Sequence, residues 1–201
     1  MFGLIVIVIA VAYLLLSIAI VKIARRHAHK TGKNVKYWGW GAALVMWLIP
    51  FWDWLPTVAV HQYTCATEAG FWVYKTPEQW RKENPGVMEG LVGHEQSPTK
   101  HVGDDNNFTI TYFLNERFNW IVSLHGRLPI NRWRYEYEVV DVKTGEVLGR
   151  YVDFSTSQSR RGGGFGESGW KFWLDNGHCS GGRHNKSEMG NFMEHFAGKK
   201  Q

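Results

Sequence analysis

The hydropathy pattern begins with two long apolar stretches. Residues 2–21 include no charged side chain, and residues 38–60 include one, Asp53. At ~1.5 Å of rise per residue, a helix over either stretch would cover a hydrocarbon core of ~30 Å. The pattern therefore predicts two transmembrane helices near the N-terminus.

Two features of the second stretch bear on its helix. Pro50 and Pro56 lack the amide N–H that a helix interior requires, so we expect a kink or an end near Trp54. Gly39 and Ala43 are four residues apart, and small side chains at that spacing let two helices approach closely. The first apolar helix is the expected neighbour, which predicts a two-helix transmembrane hairpin.

The segment between the two stretches, residues 22–37, holds six cations and no acid. The cations are Lys22, Arg25, Arg26, Lys30, Lys33 and Lys36. Short loops rich in Lys and Arg stay in the cytoplasm, so both chain ends are predicted to be extracytoplasmic. In a bacterium this describes an inner (plasma) membrane protein with periplasmic termini. The cations follow the apolar run instead of preceding it, which argues against a cleaved signal peptide.

Beyond residue 60 the pattern changes to short aromatic and β-branched runs separated by turn residues. These runs predict strands over 108–114, 118–124, 133–142, 146–155 and 170–174. In the clearest strand, Tyr135, Tyr137 and Val139 alternate with charged residues, so one face should be apolar and the other solvated. The Lys-Thr-Gly turn at 143–145 joins this strand to the next.

Helix signals are fewer in this region. Thr76 can accept a hydrogen bond from the amide of Gln79 while the Gln79 side chain reaches back, which is a capping box and predicts a short helix from Pro77. A second short helix is predicted over 192–196, a surface loop over 89–107 and a disordered tail at residues 199–200. Residues 1–60 should thus form the membrane anchor. Residues 61–201 should form one small extracytoplasmic α+β domain, mostly antiparallel β.

The formal net charge of +5 and the pI of about 9.2 raise the question of nucleic acid. The excess is confined to residues 22–37, because residues 61–201 hold 17 Lys or Arg and 17 Asp or Glu. A phosphate-binding surface needs clustered, unbalanced cations. We therefore predict no nucleic-acid partner.

Both cysteines, Cys65 and Cys179, fall in the predicted outer domain. A periplasmic location is oxidising, so we predict a disulfide between them. Closing a loop of about 115 residues would contribute up to ~4 to 5 kcal/mol in the chain-entropy model. The alternative is two unrelated buried thiols, which an alkylating reagent would label without reductant.

Asp53 is the one ionisable residue within a predicted span, where a charge costs roughly 2.5 to 3.5 kcal/mol. Trp52 and Trp54 flank it, and such residues favour the membrane interface. Residence in the headgroup region is therefore the preferred interpretation, and a polar contact with a partner helix is the alternative. Proton transport would need a second buried relay group, which the spans do not supply.

The segment 160–169 is rich in glycine and contains the spacing G-x-G-x-x-G at Gly164, Gly166 and Gly169. A dinucleotide site would require this turn to open a helix, whereas strand-like residues follow it. A flexible connection is the preferred interpretation. Its flanking residues could also form a contact loop for an acidic partner or lipid headgroups. The residues of this candidate loop are Arg160, Arg161, Trp170 and Trp173.

Histidines near the C-terminus offer the main candidates for chemistry. His178, Cys179 and His184, with His195, can be drawn as a metal site, but they show no metal-ligand spacing and Cys179 is predicted to be in a disulfide. Cys179 or Ser180 with a neighbouring histidine can be drawn as a nucleophile, but sequence proximity is not activating geometry. We predict no metal site and no cofactor.

The predicted function is that of a non-enzymatic membrane-anchored interaction protein. Its outer domain would bind an unidentified membrane or envelope protein, as in an envelope-complex subunit or an immunity or exclusion protein. The many tryptophans of the outer domain could form an aromatic contact surface. The alternative is a tethered enzyme or receptor using the segment 178–184 and the glycine-rich connection. A pocket where His178, His184 and His195 converge would favour that alternative.

Overall fold

The computed structural model describes residues 2–94, 97–157, 171–179 and 181–200. These residues form a mixed α+β structure with an N-terminal apolar helix and an antiparallel sheet, which confirms the predicted fold class at that level. The helices are α1 (Phe2–Lys30), α2 (Val35–Phe51), α3 (Trp54–Thr67), α4 (Pro77–Glu83) and α5 (Gly182–Glu194). The strands are β1 (Gly70–Val73), β2 (Val92–Gly93), β3 (Thr99–Gly103), β4 (Asn107–Phe113), β5 (Phe118–Leu128), β6 (Arg132–Asp141), β7 (Val147–Thr156) and β8 (Lys199–Lys200).

The basic segment is mostly helical. α1 continues through the cations to Lys30, where basic residues in the last turn suit the negative end of the helix dipole. The connection to α2 is only residues 31–34, and the Asn34 side chain caps α2 by accepting from the amides of Lys36 and Tyr37. Within the part of the chain described, residues 4–30 form one helix long and apolar enough to be a membrane span or a signal sequence.

α1 and α2 pack against each other at two points that the sequence explains. Pro50 cannot donate to the carbonyl of Met46, and the Tyr13 hydroxyl of α1 donates to that carbonyl at 2.5 Å. Gly39 is buried where the Arg25 side chain crosses it, since a Cβ there would lie 3.0 Å from Arg25 Cγ. Gly39 therefore lies within the contact between α1 and α2.

The second apolar stretch is divided between two helix axes. α2 and α3 meet at Trp52 and Asp53 with a bend of 57°. Pro56 lacks the N–H that would donate to the Trp52 carbonyl, and its ring crowds the same carbonyl, so the helix breaks there. The kink expected near Trp54 is confirmed. The straight helix before the bend is α2, which has 17 residues.

The sheet has the strand order β1-β7-β6-β5-β4-β3, and every neighbouring pair is antiparallel. Four of the five predicted strands correspond to β4, β5, β6 and β7. The apolar face of the sheet packs against α4 and α5. The buried residues of this core are Trp80, Leu114, Phe118, Val139, Leu148, Tyr151, Met189, Phe192 and Phe196. The opposite face carries charged pairs such as Arg134 with Glu136, as the alternation in β6 predicted.

Three local predictions are wrong. The described residues of 170–174 form a 3-10 turn over Phe172–Leu174 instead of a strand, and the loop predicted over 89–107 contains β2 and β3. The tail predicted to be disordered pairs as β8 with β2. The helix predicted over 192–196 is present but longer, since α5 runs from Gly182 to Glu194. The tail pairs with a strand more than a hundred residues away, whereas β3 pairs with the neighbouring strand β4.

The buried carboxylate of Asp141 links several elements around the core of the sheet domain. Arg117 donates from Nη2 to Asp141 Oδ2 at 2.8 Å and places Nε 2.8 Å from Oδ1, while the Trp80 indole donates to Oδ2 at 2.9 Å. The amides of Lys143 and Thr144 donate to Oδ1, which also fixes the predicted turn. Burial alone would raise the pKa of Asp141, but the hydrogen bonds from Arg117, Trp80 and Thr144 outweigh burial and lower it.

Candidate functional site at the junction of helix and sheet

Asp53 lies at the break between α2 and α3 and connects the helices to the sheet domain. Its side chain is buried, with Oδ2 2.5 Å from Lys171 Nζ and Oδ1 accepting from the Trp173 indole at 3.3 Å. The Trp173 ring also meets the Phe51 ring edge to face at 4.8 Å between centroids. The polar partner of Asp53 thus comes from the 3-10 turn region instead of another helix.

The two cysteines form a second connection. Cys65 in the last turn of α3 and Cys179 before α5 are at disulfide-bonding distance, with Cα atoms 5.4 Å apart across 114 residues of sequence. Val152 and Phe154 of β7 pack against the sulfur atoms. The predicted pairing is confirmed, and it attaches the far end of α3 to the sheet.

Asp153 of β7 organises the chain around the disulfide. Its Oδ2 lies 2.7 Å from His178 Nδ1, and its Oδ1 accepts from the amide of Cys179 at 3.1 Å. A Cβ on Gly182 would lie 2.9 Å from Asp153 Oδ2, so the start of α5 approaches this carboxylate as only glycine can. The sequence offered one signal for this residue, because Asp153 is the only acid in β7.

The histidines do not converge on one point. His178 pairs with Asp153, while His184 is exposed on the first turns of α5 and lies 3.2 Å from Glu188. His195 follows the last turn of α5, and eleven residues of helix separate it from His184 by about 16 Å. Among the residues described, no group of three or more His, Cys, Asp or Glu is placed to hold a metal ion.

The candidate contact loop is mostly outside the described residues. Arg160, Arg161, Trp170 and the G-x-G-x-x-G spacing all lie there. Trp173, assigned to that loop from sequence, instead packs on Phe51 and Asp53 at the junction. Its indole and ring are used to attach the domain to the helices.

Some tryptophans of the sheet domain are buried in its core, and others lie at its surface. Trp80 and Trp133 are fully buried, and the Trp133 indole donates to the carbonyl of Ser157 at 3.0 Å. Trp120 lies between Tyr112 and Tyr137 in a cross-strand aromatic row, and Trp72 is exposed on β1. The described tryptophans therefore do not form the single exposed aromatic face that their number suggested.

A depression beside the junction separates α3 from the turn between β5 and β6. Its volume is about 510 Å³, and its walls include Trp52, Pro56, Ile130 and Trp133. Asp53 and Lys171 lie at its polar end. The depression is mainly apolar, and none of the three histidines lines it.

β3 is one of the two edge strands of the sheet, the other being β1, and all five residues of β3 are exposed. Phe113 donates from its amide to Pro98, and Asp104 donates to Asn107, so the ladder bonds to β4 fall at alternate residues. Thr99, His101 and Gly103 consequently direct their backbone N–H and C=O groups away from β4. In the part of the chain that the structure describes, no strand pairs with that side of β3.

Comparison with known proteins finds no matching family model, no matching curated protein and no matching solved structure.

Proposed function

We propose that this chain is a non-enzymatic, membrane-anchored interaction protein whose outer domain binds a partner protein at the membrane surface. The observation that carries the proposal is the junction. Asp53 and Phe51 hold Lys171 and Trp173 at one end of α3, and Cys65 holds Cys179 at the other. Attachment at both ends of α3 gives the domain one orientation relative to the helices, which suits presentation of a fixed surface.

In this proposal α1 and α2 are the two spans of a transmembrane hairpin. α2 has 17 residues, which is the lower limit for crossing a bilayer. The Tyr13 hydroxyl supports this interpretation, because a carbonyl freed by proline within lipid must find another donor. The basic segment 22–37 would be cytoplasmic and the sheet domain periplasmic, in the inner membrane of a bacterium.

The partner surface in this proposal is the exposed edge strand β3. An unpaired edge can accept a strand from another chain, with main-chain hydrogen bonds giving affinity. Thr99, His101 and Gly103 present the required N–H and C=O groups. The expected partner is an extended segment of another protein whose backbone continues the ladder of the sheet.

Site-specific photo-crosslinking in intact cells tests the proposal. A photoreactive residue at Val102, which is 57% exposed on β3, should give a discrete adduct with one partner. Val142, which is also exposed but lies in the turn after β6, is the matched control and should give none.

A backbone variant identifies strand addition. His101→Pro removes an N–H that does not bond to β4, so the sheet should persist while the Val102 adduct is lost. His101→Ala retains the N–H and should keep the adduct. An adduct that survives His101→Pro in a folded protein, or equal adducts at Val102 and Val142, would overturn the edge-strand proposal.

A further inference from the structure

The distribution of polar and apolar side chains on α3 is the reverse of that on a helix of a water-soluble domain. Its buried side chains are polar and recur at helical spacing, beginning with Asp53 at the N-cap and continuing with Thr57, His61 and Thr64. Its outer side chains are mostly apolar or aromatic, with Leu55 57% and Tyr63 66% exposed, and the exposed polar residues Gln62 and Thr67 lie in its C-terminal half. A surface helix in water normally shows the opposite arrangement.

The polar side of α3 is covered by the outer domain. Asp53 meets Lys171 and Trp173, and His61 lies 3.6 Å from the Cys65 sulfur at the disulfide. Between Trp54 and Thr67 the helix has no Asp, Glu, Lys or Arg. The outer side of α3 therefore has the residue types of a membrane interface and lacks the charges of a solvated surface.

The bend between α2 and α3 lets the exposed apolar surface of α2 continue onto the exposed side of α3. α3 departs from the α2 axis by 57°. If α2 crosses the bilayer upright, α3 lies closer to the membrane plane than to its normal. Trp52 at the bend is 65% exposed, which continues the apolar surface of α2 onto α3.

The turn between β5 and β6 reaches the same surface. Ile130 and Asn131 both have positive φ, 65° and 54°, and a β-branched residue rarely adopts that conformation. The turn nevertheless exposes Ile130, and Ile130 shares the walls of the depression with Trp52 and Pro56. A costly backbone conformation that displays an apolar side chain beside α3 indicates a use for that side chain.

We infer that α3 and the β5–β6 turn form one lipid-contacting surface, with Leu55, Tyr63 and Ile130 seated at the boundary between headgroups and acyl chains. The inference rests on the proposed membrane anchor and extends it. The second span ends at Phe51, α3 is an interfacial helix, and the outer domain lies directly on the bilayer. The Asp53–Lys171 pair then lies at the interface, below the domain.

Depth-dependent fluorescence quenching tests the inference on the full-length protein with its disulfide intact. A fluorescent amino acid is placed at one position at a time, which adds no thiol, and the protein is reconstituted in phosphatidylethanolamine–phosphatidylglycerol vesicles. Leu55 and Ile130 should be quenched several-fold more by lipids with a nitroxide near the headgroup than Val102 on β3. Aqueous iodide should show the reverse order.

Leu15 in α1 reports on the anchor itself and separates the two ways of failing. If Leu15 is quenched by a nitroxide deep in the acyl chains while Leu55 and Ile130 behave like Val102, the lipid-contacting surface is overturned and the anchor stands. If Leu15 is quenched by iodide and not by lipid, the anchor and the surface both fail.

Discussion

Two buried aspartates in this protein each contact one cationic side chain and one tryptophan indole. The two contacts differ in what they stabilise. Asp141 pairs with the guanidinium of Arg117 and accepts a hydrogen bond from the indole N–H of Trp80. Asp53 pairs with the ammonium of Lys171 and accepts a hydrogen bond from the indole N–H of Trp173. The cation of Asp141 is a planar guanidinium that lies 2.8 Å from each carboxylate oxygen and donates a hydrogen bond from Nη2, whereas the cation of Asp53 is an ammonium.

Location separates the two sites further. Asp141 also accepts from two amides of the turn that follows it, so its carboxylate joins α4, β5 and a hairpin within one core. Asp53 joins two regions that are 118 residues apart in sequence and meet only at the junction. The first arrangement stabilises the domain itself, whereas the second holds the domain in place on the helices.

The largest effect is expected from Asp141→Asn. This change leaves the Arg117 charge buried without its partner, which should lower the free energy of unfolding by about 3 to 5 kcal/mol. Urea unfolding followed by near-UV circular dichroism measures it. Glu146→Gln is the control, because Glu146 pairs with Lys75 at a half-exposed site and should cost less than about 1 kcal/mol. Equal losses for both variants would contradict the comparison.

The pH dependence of stability sharpens the assignment to Asp141. Its folded-state pKa is below the normal value of 3.8, so its contribution is present above pH 3.8 and is lost as pH falls through the lower folded value. The stability difference between wild type and Asp141→Asn should therefore be constant near neutrality and shrink in acid. A difference that persists unchanged at low pH would assign the effect to packing.

Removing the disulfide should give the next largest effect. The double variant Cys65→Ser, Cys179→Ser should lose about 2 to 5 kcal/mol, since the bridge closes a very long loop. Hydrogen exchange should show that the loss is concentrated in α3 and around β7. If exchange instead rises uniformly through the core near Trp80, the bridge stabilises the whole domain and the separation between core and junction is wrong.

Asp53→Asn should cost less than either change, about 1 to 2 kcal/mol, because Lys171 can reach solvent. A double-mutant cycle with Lys171→Met measures the coupling directly, and we expect a coupling energy near 1 kcal/mol. The readout is hydrogen exchange in α3 and at Phe172–Leu174, with β5 and β6 unaffected. Additive effects of the two substitutions would show that the ion pair does not hold the junction.

The smallest effect is expected within the helix pair. Tyr13→Phe removes one neutral hydrogen bond between α1 and α2, and such bonds average about 0.6 kcal/mol in membrane proteins. Gly39→Leu should have a somewhat larger effect, because the Arg25 side chain that crosses this glycine must move aside. Crosslinking between α1 and α2 should fall more for Gly39→Leu than for Tyr13→Phe. The reverse order would contradict the packing described.

Local patterns in the sequence predicted much of the fold. The capping box of Thr76 and Gln79 forms as expected, and the turn at 143–145 connects β6 to β7. Both depend on hydrogen bonds between residues less than four apart, which the sequence states directly. The cysteine pairing was predictable for another reason, because the chain offers Cys65 only one possible partner.

The candidate site was less predictable because its partners are distant. Nothing local to Asp53 indicates Lys171, and Trp173 looked like part of an outer loop until the structure placed it on Phe51. β3 has too few apolar residues to signal a strand, and it forms because β4 supplies the ladder. The spacing of Asp53, Thr57, His61 and Thr64 was a readable signal for the inverted face of α3, obscured by the general apolarity of the stretch.

The sequence by itself determined the two apolar stretches, the basic segment between them, the main strands and the disulfide partners. These features follow from composition, periodicity and short-range hydrogen bonding. Only the tertiary structure decided which side of α3 is covered and which side chains pair with Asp53. Those outcomes depend on surfaces brought together across more than a hundred residues, and their energies are set by burial and geometry that no local pattern contains.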